Sequence, residues 1–233
     1  MLSTGRVYLG HLGPIPLYVH WTFLFLILMA FNWSPPTNAD GLTSSLLVLA
    51  VLMSGIVLHE LGHGMAAKVQ GARDVTITLW GLGGLCSSSP RDALPRREII
   101  ILAAGPAVSF ALAWGAYLAI HLLRGAHPEW LVNDQGLTLL AEFLVLAYNI
   151  NLMLGIFNIL PIYPLDGGQI VYNAGLLIFK RQATARAFSL TLACLGAFAF
   201  LWWRSAGFTD FNHITYSLVL IGWLLFNAFT HLR

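Results

Sequence analysis

Charged residues are scarce in this chain, and their scarcity excludes most soluble folds. Asp, Glu, Lys and Arg make up 9% of its 233 residues, whereas a soluble domain carries roughly 25%. Hydrophobic residues reach 58%. The formal net charge of +2 is too small and too scattered to favour nucleic acid as a partner. The composition therefore predicts a polytopic membrane protein whose surroundings are the lipid bilayer.

Cysteine is scarce as well, since the chain has only Cys86 and Cys194. Their spacing is not that of a metal-binding pair, and we interpret both as structural residues because free cysteine is usually buried. Internal repeats and low-complexity linkers are also absent. We expect residues 1–233 to form a single transmembrane domain.

Apolar runs of about 20 residues mark the candidate membrane spans. A shorter apolar stretch, residues 167–179, is too short to cross alone, and the alternation of Val75, Ile77 and Leu79 with polar or aromatic neighbours predicts a hairpin. The fold class is therefore an all-α polytopic membrane protein with about six transmembrane helices, a small membrane-associated β-sheet between the second and third, and a broken fourth helix. The spans are residues 15–33, 42–69, 99–123, 136–160, 184–203 and 214–232.

Basic residues favour one side of this six-span arrangement. Ten of the twelve fall on that side, and only Arg124 and Arg204 fall on the other. The positive-inside rule then places both termini in the cytoplasm of a multi-pass protein of the cell (inner) membrane.

The run His59-Glu60-Leu61-Gly62-His63 lies inside the second apolar span. An acidic side chain at the bilayer centre costs roughly 2.5 to 3.5 kcal/mol even on a lenient insertion scale, so it is a functional hypothesis by default. Residues four apart share one helix face, so both histidines can reach one metal ion, with Glu60 on the neighbouring face. His63 precedes Lys68 by five residues, which places the site about 10 Å below the cytoplasmic boundary.

A catalytic zinc ion needs a third protein ligand. Glu98 suits the start of the third span, and Glu142 lies in the opposite leaflet, which leaves Asp166 among the acidic residues near membrane depth. The prolines and glycines around Asp166 break the helix, and broken backbone at this depth is tolerated only beside protein or a watery cavity. Asp166 can equally be the N-cap of the helix over residues 167–179. The residues alone leave both interpretations open.

Several motifs resemble those of one known family. The H-E-x-x-H of residues 59–63 is followed by Asn158-x-x-Pro161 and then by Pro164-Leu165-Asp166-Gly167-Gly168. Two lesser matches are Ala104-Gly105-Pro106 and the stretch from Gly13 to Val19-His20-Trp21. Together they resemble the site-2 protease family of intramembrane zinc metalloproteases, in its compact form without the peptide-binding or nucleotide-sensing domains that some relatives append.

The resemblance implies a function and a role for each matching residue. It implies that His59, His63 and Asp166 hold one catalytic zinc ion, that Glu60 is the catalytic base, and that Asn158 positions substrate or stabilises the oxyanion. The implied reaction is hydrolysis of a peptide bond within, or near the cytoplasmic end of, a transmembrane segment of a protein or peptide substrate. It identifies no regulatory partner. Ser109 departs from the pattern, because relatives often carry Asn at that position.

Two other functions remain possible on the sequence. A metal transporter would also place histidine and carboxylate in the bilayer, but it needs polar groups through both leaflets, and the outer halves of the spans offer little beyond Glu142. A non-catalytic scaffold that binds membrane proteins would tolerate loss of Glu60 or of a ligand. All four residues are present, which favours the protease.

Overall fold

The computed structural model of the chain describes residues 5–31, 36–81, 83–89, 94–133 and 136–204, together with residue 222. The chain divides into two compact units. The first comprises Met1–Arg91 with Ala104–Gly155, and the second comprises Asp92–Ala103 with Ile156–Arg233.

A four-stranded sheet opens the first unit. Its strands are β1 (Arg6–Leu12), β2 (Ile15–His20), β3 (Thr76–Trp80) and β4 (Gly83–Ser87), in the order β1-β2-β3-β4. β2 pairs antiparallel with β1 and parallel with β3, with Tyr18 opposite Thr78. β3 and β4 form the antiparallel hairpin that the alternating pattern predicts, with Trp80 opposite Gly83.

Helices complete the first unit. A 3-10 turn, Trp21–Phe23, leads into the short helix α1 (Leu24–Ala30), and α2 (Ala39–Val69) follows. Next come α3 (Pro95–Ala126), a small hairpin of β5 (Val132–Asn133) and β6 (Gly136–Leu137), and α4 (Leu139–Ile159). Among the described residues, α2, α3 and α4 are the three helices long and apolar enough to cross a membrane. They confirm the second, third and fourth predicted spans to within a few residues.

One face of the sheet packs on helix α2. The side chains of Ile15, Val75 and Ile77 are almost completely buried. A Cβ added to Gly64 of α2 would lie 2.7 Å from Cδ1 of Ile15 and 3.4 Å from Cγ1 of Val75. The sheet therefore rests against α2 one residue after His63.

In the second unit, α5 (Asp166–Phe179) and α6 (Gln182–Arg204) follow the end of α4. Gly175 of α5 lies against Ala185 of α6, and Ile162, Ala193 and Ala197 form a small buried cluster. The interruption between Ile159 and Asp166 confirms the predicted break after the fourth span. α6 confirms a helix over the fifth predicted span. The sixth, residues 214–232, lies outside the described residues except for residue 222.

The prediction was wrong for the first span, residues 15–33. Its first third is the strand β2, and the helix that follows, α1, has only seven residues. Apolar residues give the same hydropathy in a helix and in a strand that is paired on both edges, so a hydropathy window does not distinguish the two. The sheet is also larger than predicted, because β1 and β2 come from before the second span and only β3 and β4 lie between the second and third.

Candidate metal centre

Helix α2 brings two imidazole rings together in the first unit. His59, Glu60 and His63 are 3%, 7% and 6% exposed. The Nε2 atoms of His59 and His63 lie 3.1 Å apart, because residues four apart stand one above the other on a helix. Two nitrogens bound to one tetrahedral zinc ion at 2.0 to 2.1 Å would be about 3.3 Å apart. The observed separation therefore fits a shared metal ion.

A glycine of α3 leaves room in front of these two nitrogens. A Cβ added to Gly105 would lie 2.7 Å from Nε2 of His59, and it would also overlap Nε2 of His63. The helices approach closely here, since a Cβ on Gly62 of α2 would lie 2.8 Å from the carbonyl oxygen of Ala104. Only glycine at position 105 lets the helices meet without filling the space that the nitrogens face.

Ser109 fixes the orientation of the first histidine. Its side chain is completely buried, and its Oγ lies 2.9 Å from Nδ1 of His59. When Nδ1 carries the proton and donates it to this hydroxyl, Nε2 keeps its lone pair for a metal ion. Serine at position 109 therefore supplies a hydrogen bond to His59.

The β3–β4 hairpin covers the carboxyl group of Glu60. A Cβ added to Gly84 of β4 would lie 2.6 Å from both Cδ and Oε1 of Glu60. Trp80 of β3 donates from its indole Nε1 to the carbonyl oxygen of Gly84, at 3.3 Å. The carboxyl group therefore lies between helix α2 and the backbone of β4, beside the histidines.

Two candidate residues belong to the second unit. Asn158 is the penultimate residue of α4, and Asp166 is the first residue of α5. The N-cap of α5 is Leu165, with no capping hydrogen bond from its side chain, so the interpretation of Asp166 as the N-cap is wrong. Gly168 allows a close contact, because a Cβ there would lie 2.7 Å from the carbonyl oxygen of Ile162.

The contact of Gly84 with Glu60 and the hydrogen bond of Ser109 to His59 do not follow from the sequence. The glycine-rich stretch after β3 was a signal for a close approach, since Gly81, Gly83 and Gly84 crowd into four positions. Nothing in the sequence pairs Ser109 with His59, which lies 50 residues earlier. That pairing depends on how α2 and α3 pack.

Peptidase family M50 matches residues 47–141 and 132–202, which together span more than half of the chain. Rip3 of Mycobacterium tuberculosis is 29% identical over 238 residues, 94% of this chain and 56% of that protein. A zinc metalloprotease of Methanocaldococcus jannaschii is 34% identical over 158 residues, 67% of this chain and 42% of that protein. The chain thus spans about half the length of these curated relatives.

A solved structure shares the fold. The site-2 protease from Methanocaldococcus jannaschii is 24% identical in sequence and aligns with a TM-score of 0.58. The alignment covers 98% of this chain and 95% of that one.

Proposed function

The chain belongs to peptidase family M50, and from this membership we propose that it is an intramembrane zinc metalloprotease. Its proposed reaction is hydrolysis of a peptide bond within, or near the cytoplasmic end of, a transmembrane segment of a membrane protein. The observation that carries the proposal is the pair of Nε2 atoms 3.1 Å apart on α2, with the buried carboxyl group of Glu60 beside them.

His59, His63 and Asp166 are the proposed ligands of one zinc ion. They offer two imidazole nitrogens and one carboxylate oxygen, a ligand set that catalytic zinc accepts with one position left open. Asp166 is the first residue of α5, whose N-cap is Leu165. Bound zinc supplies a Lewis acid, which makes water nucleophilic near neutral pH and polarises a carbonyl group.

Glu60 is the proposed general base and acid. Its carboxylate takes the proton from the attacking water and then gives it to the leaving amine, so one group serves both halves of the reaction. The backbone of β4 against its carboxyl group limits where that proton can be held. The amide of Asn158 donates a hydrogen bond to the substrate carbonyl oxygen, whose negative charge grows in the transition state.

The edge strand β4 is the proposed place where substrate binds. It ends the sheet order β1-β2-β3-β4, and its residue Gly84 contacts Glu60. A substrate segment added to this edge is held extended by main-chain hydrogen bonds. Because an intact helix keeps its carbonyl groups in the i to i−4 ladder, the scissile segment must unwind first, and helix-weak residues in the substrate favour this.

The proposed site faces the cytoplasmic side of the cell membrane, with both termini in the cytoplasm. The bias of basic residues toward one side supports this orientation.

Metal removal tests the proposal. Protein in liposomes with a single-span membrane substrate is expected to cleave it, as read by mass spectrometry of the products. A zinc chelator should reduce the rate by at least about 100-fold, because the water is then no longer activated, and one equivalent of zinc should restore it. Unchanged cleavage after zinc is shown to be absent would contradict the proposal, and so would zinc flux into the liposomes without cleavage.

Ser109→Ala tests the support of the first ligand. Loss of the hydroxyl that holds Nδ1 of His59 is expected to weaken zinc binding by about 10- to 100-fold, as measured by competition with a chromogenic chelator. The matched control is Ser54→Ala, whose hydroxyl donates only to the carbonyl oxygen of Val51 in its own helix. Equal zinc affinities for the two variants would show that Ser109 does not orient His59.

A further inference from the structure

Beyond the ladder that pairs β2 with β3, a hydroxyl joins the turn of the β3–β4 hairpin to the 3-10 turn that follows β2. The backbone N–H of Gly81, which follows β3, donates to Oγ1 of Thr22 at 3.1 Å across 59 residues of sequence. Thr22 lies in the 3-10 turn that follows β2. Its Oγ1 is also 2.8 Å from Nδ1 of His20. The hairpin turn is therefore attached to the end of β2 by one side chain.

The directions of these hydrogen bonds follow from the tautomer of His20. The backbone N–H of Thr22 donates to Nδ1 of His20 at 3.3 Å, which is consistent with the tautomer that carries its proton on Nε2. The Thr22 hydroxyl must then donate to Nδ1, which leaves its own lone pairs to accept from Gly81. His20 is 6% exposed, so water cannot readily take over its part.

The backbones also touch at this point. A Cβ added to Gly81 would lie 2.8 Å from the carbonyl oxygen of Thr22 and 3.3 Å from its Cβ. Glycine at position 81 thus brings the hairpin turn into direct contact with the 3-10 turn. The hydrogen bond from Gly81 to Thr22 then stabilises this contact.

The attachment point is three residues from the contact with the carboxyl group. Gly84 of β4 lies against Glu60, and the indole of Trp80 holds the carbonyl oxygen of Gly84. Gly81 directly follows Trp80, which is paired with Gly83 of β4. Movement at Gly81 would therefore also move the β4 backbone relative to Glu60.

We propose that Thr22 and His20 are positioning residues for the reaction, which hold the hairpin turn so that the β4 backbone keeps the carboxyl group of Glu60 in one place. This inference rests on the proposed function. Neither residue touches the reacting atoms, so both act through the hairpin and Glu60.

Thr22→Val tests the inference, since valine keeps the shape of threonine and removes the hydroxyl. We expect kcat to fall by on the order of 10- to 100-fold, since small misplacements of a catalytic group cost rates of this size, with KM and zinc content unchanged. Hydrogen exchange of the hairpin peptide containing Gly81 should become about 10-fold faster. Thr22→Ser keeps the hydroxyl and should restore both kcat and exchange.

Two further variants complete the test. Thr22→Ala should show the same loss as Thr22→Val and replaces it if valine prevents folding. The matched control, Thr43→Val, removes a hydroxyl that donates only to Ala39 of its own helix, and it should leave kcat and hairpin exchange unchanged.

Three results would overturn the inference: native kcat in Thr22→Val, faster hairpin exchange with no change in kcat, or a loss of rate that follows loss of zinc or of fold. Failure of the proposed function is distinguishable from these. If the proposed function is wrong, the native chain cleaves no substrate. The attachment of the hairpin is tested separately, because an unchanged rate of hydrogen exchange in the hairpin of Thr22→Val would overturn it.

Discussion

Glu60→Gln is expected to abolish proteolysis while zinc remains bound. The variant should lose about 10²- to 10⁴-fold in kcat, the usual range for loss of a general acid or base. Gln has the shape of Glu, so contact with the β4 backbone at Gly84 is kept and the neighbouring histidines are not disturbed. What is lost is the ability to take a proton from water and to return it to the leaving amine.

The measurement pairs single-turnover cleavage of a single-span substrate in liposomes with zinc content by atomic emission. The control is Glu142→Gln, which makes the same change in the first turn of α4 and should cleave at the native rate. If Glu60→Gln holds one zinc and cleaves as fast as the native chain, Glu60 is not the base. If the variant loses zinc, the carboxylate of native Glu60 supports zinc binding and not proton transfer.

The part of the site that is local in sequence could be predicted. His59, Glu60 and His63 share one helix, and 3.6 residues per turn fixes their relation whatever surrounds them. The break before Asp166 was equally accessible, because prolines and glycines exclude a continuous helix. Whether Asp166 is a helix cap could not be predicted, since this depends on the residue at which α5 begins. The N-cap is Leu165.

The parts that depend on long-range contacts could not be predicted. β2 pairs in parallel with β3, and the whole of α2 separates them in sequence, so no local pattern distinguishes β2 from the start of an apolar helix. The contact of Gly84 with Glu60 and the bond from Gly81 to Thr22 arise in the same way. Each requires the sheet to be assembled first, and the sequence shows only glycines whose partners are unknown.

Gly105→Ala is expected to weaken zinc binding at the proposed metal centre through a single added methyl group. The added Cβ would lie 2.7 Å from Nε2 of His59 and would overlap Nε2 of His63. Both imidazole rings must then rotate, so that their Nε2 atoms no longer face the same space. For His59 this rotation is opposed by the hydrogen bond between its Nδ1 and the hydroxyl of Ser109, at 2.9 Å. Overpacking in a close-packed interior costs about 1 to 3 kcal/mol. If zinc binding bears this cost, zinc affinity falls by about 5- to 150-fold, and cleavage should fall with it.

The matched control for Gly105→Ala lies on the same helix. Gly115 of α3 has no atom within 4 Å of an added Cβ, so Gly115→Ala should bind zinc and cleave substrate as the native chain does, with a gain in helix stability of up to about 1 kcal/mol. Zinc titration by isothermal calorimetry on both variants decides the comparison. Native zinc affinity in Gly105→Ala would mean that the ion does not lie in the space in front of the two nitrogens. Loss of zinc in both variants would mean that α3 tolerates no added methyl group, and the cause would then be the packing of the helix.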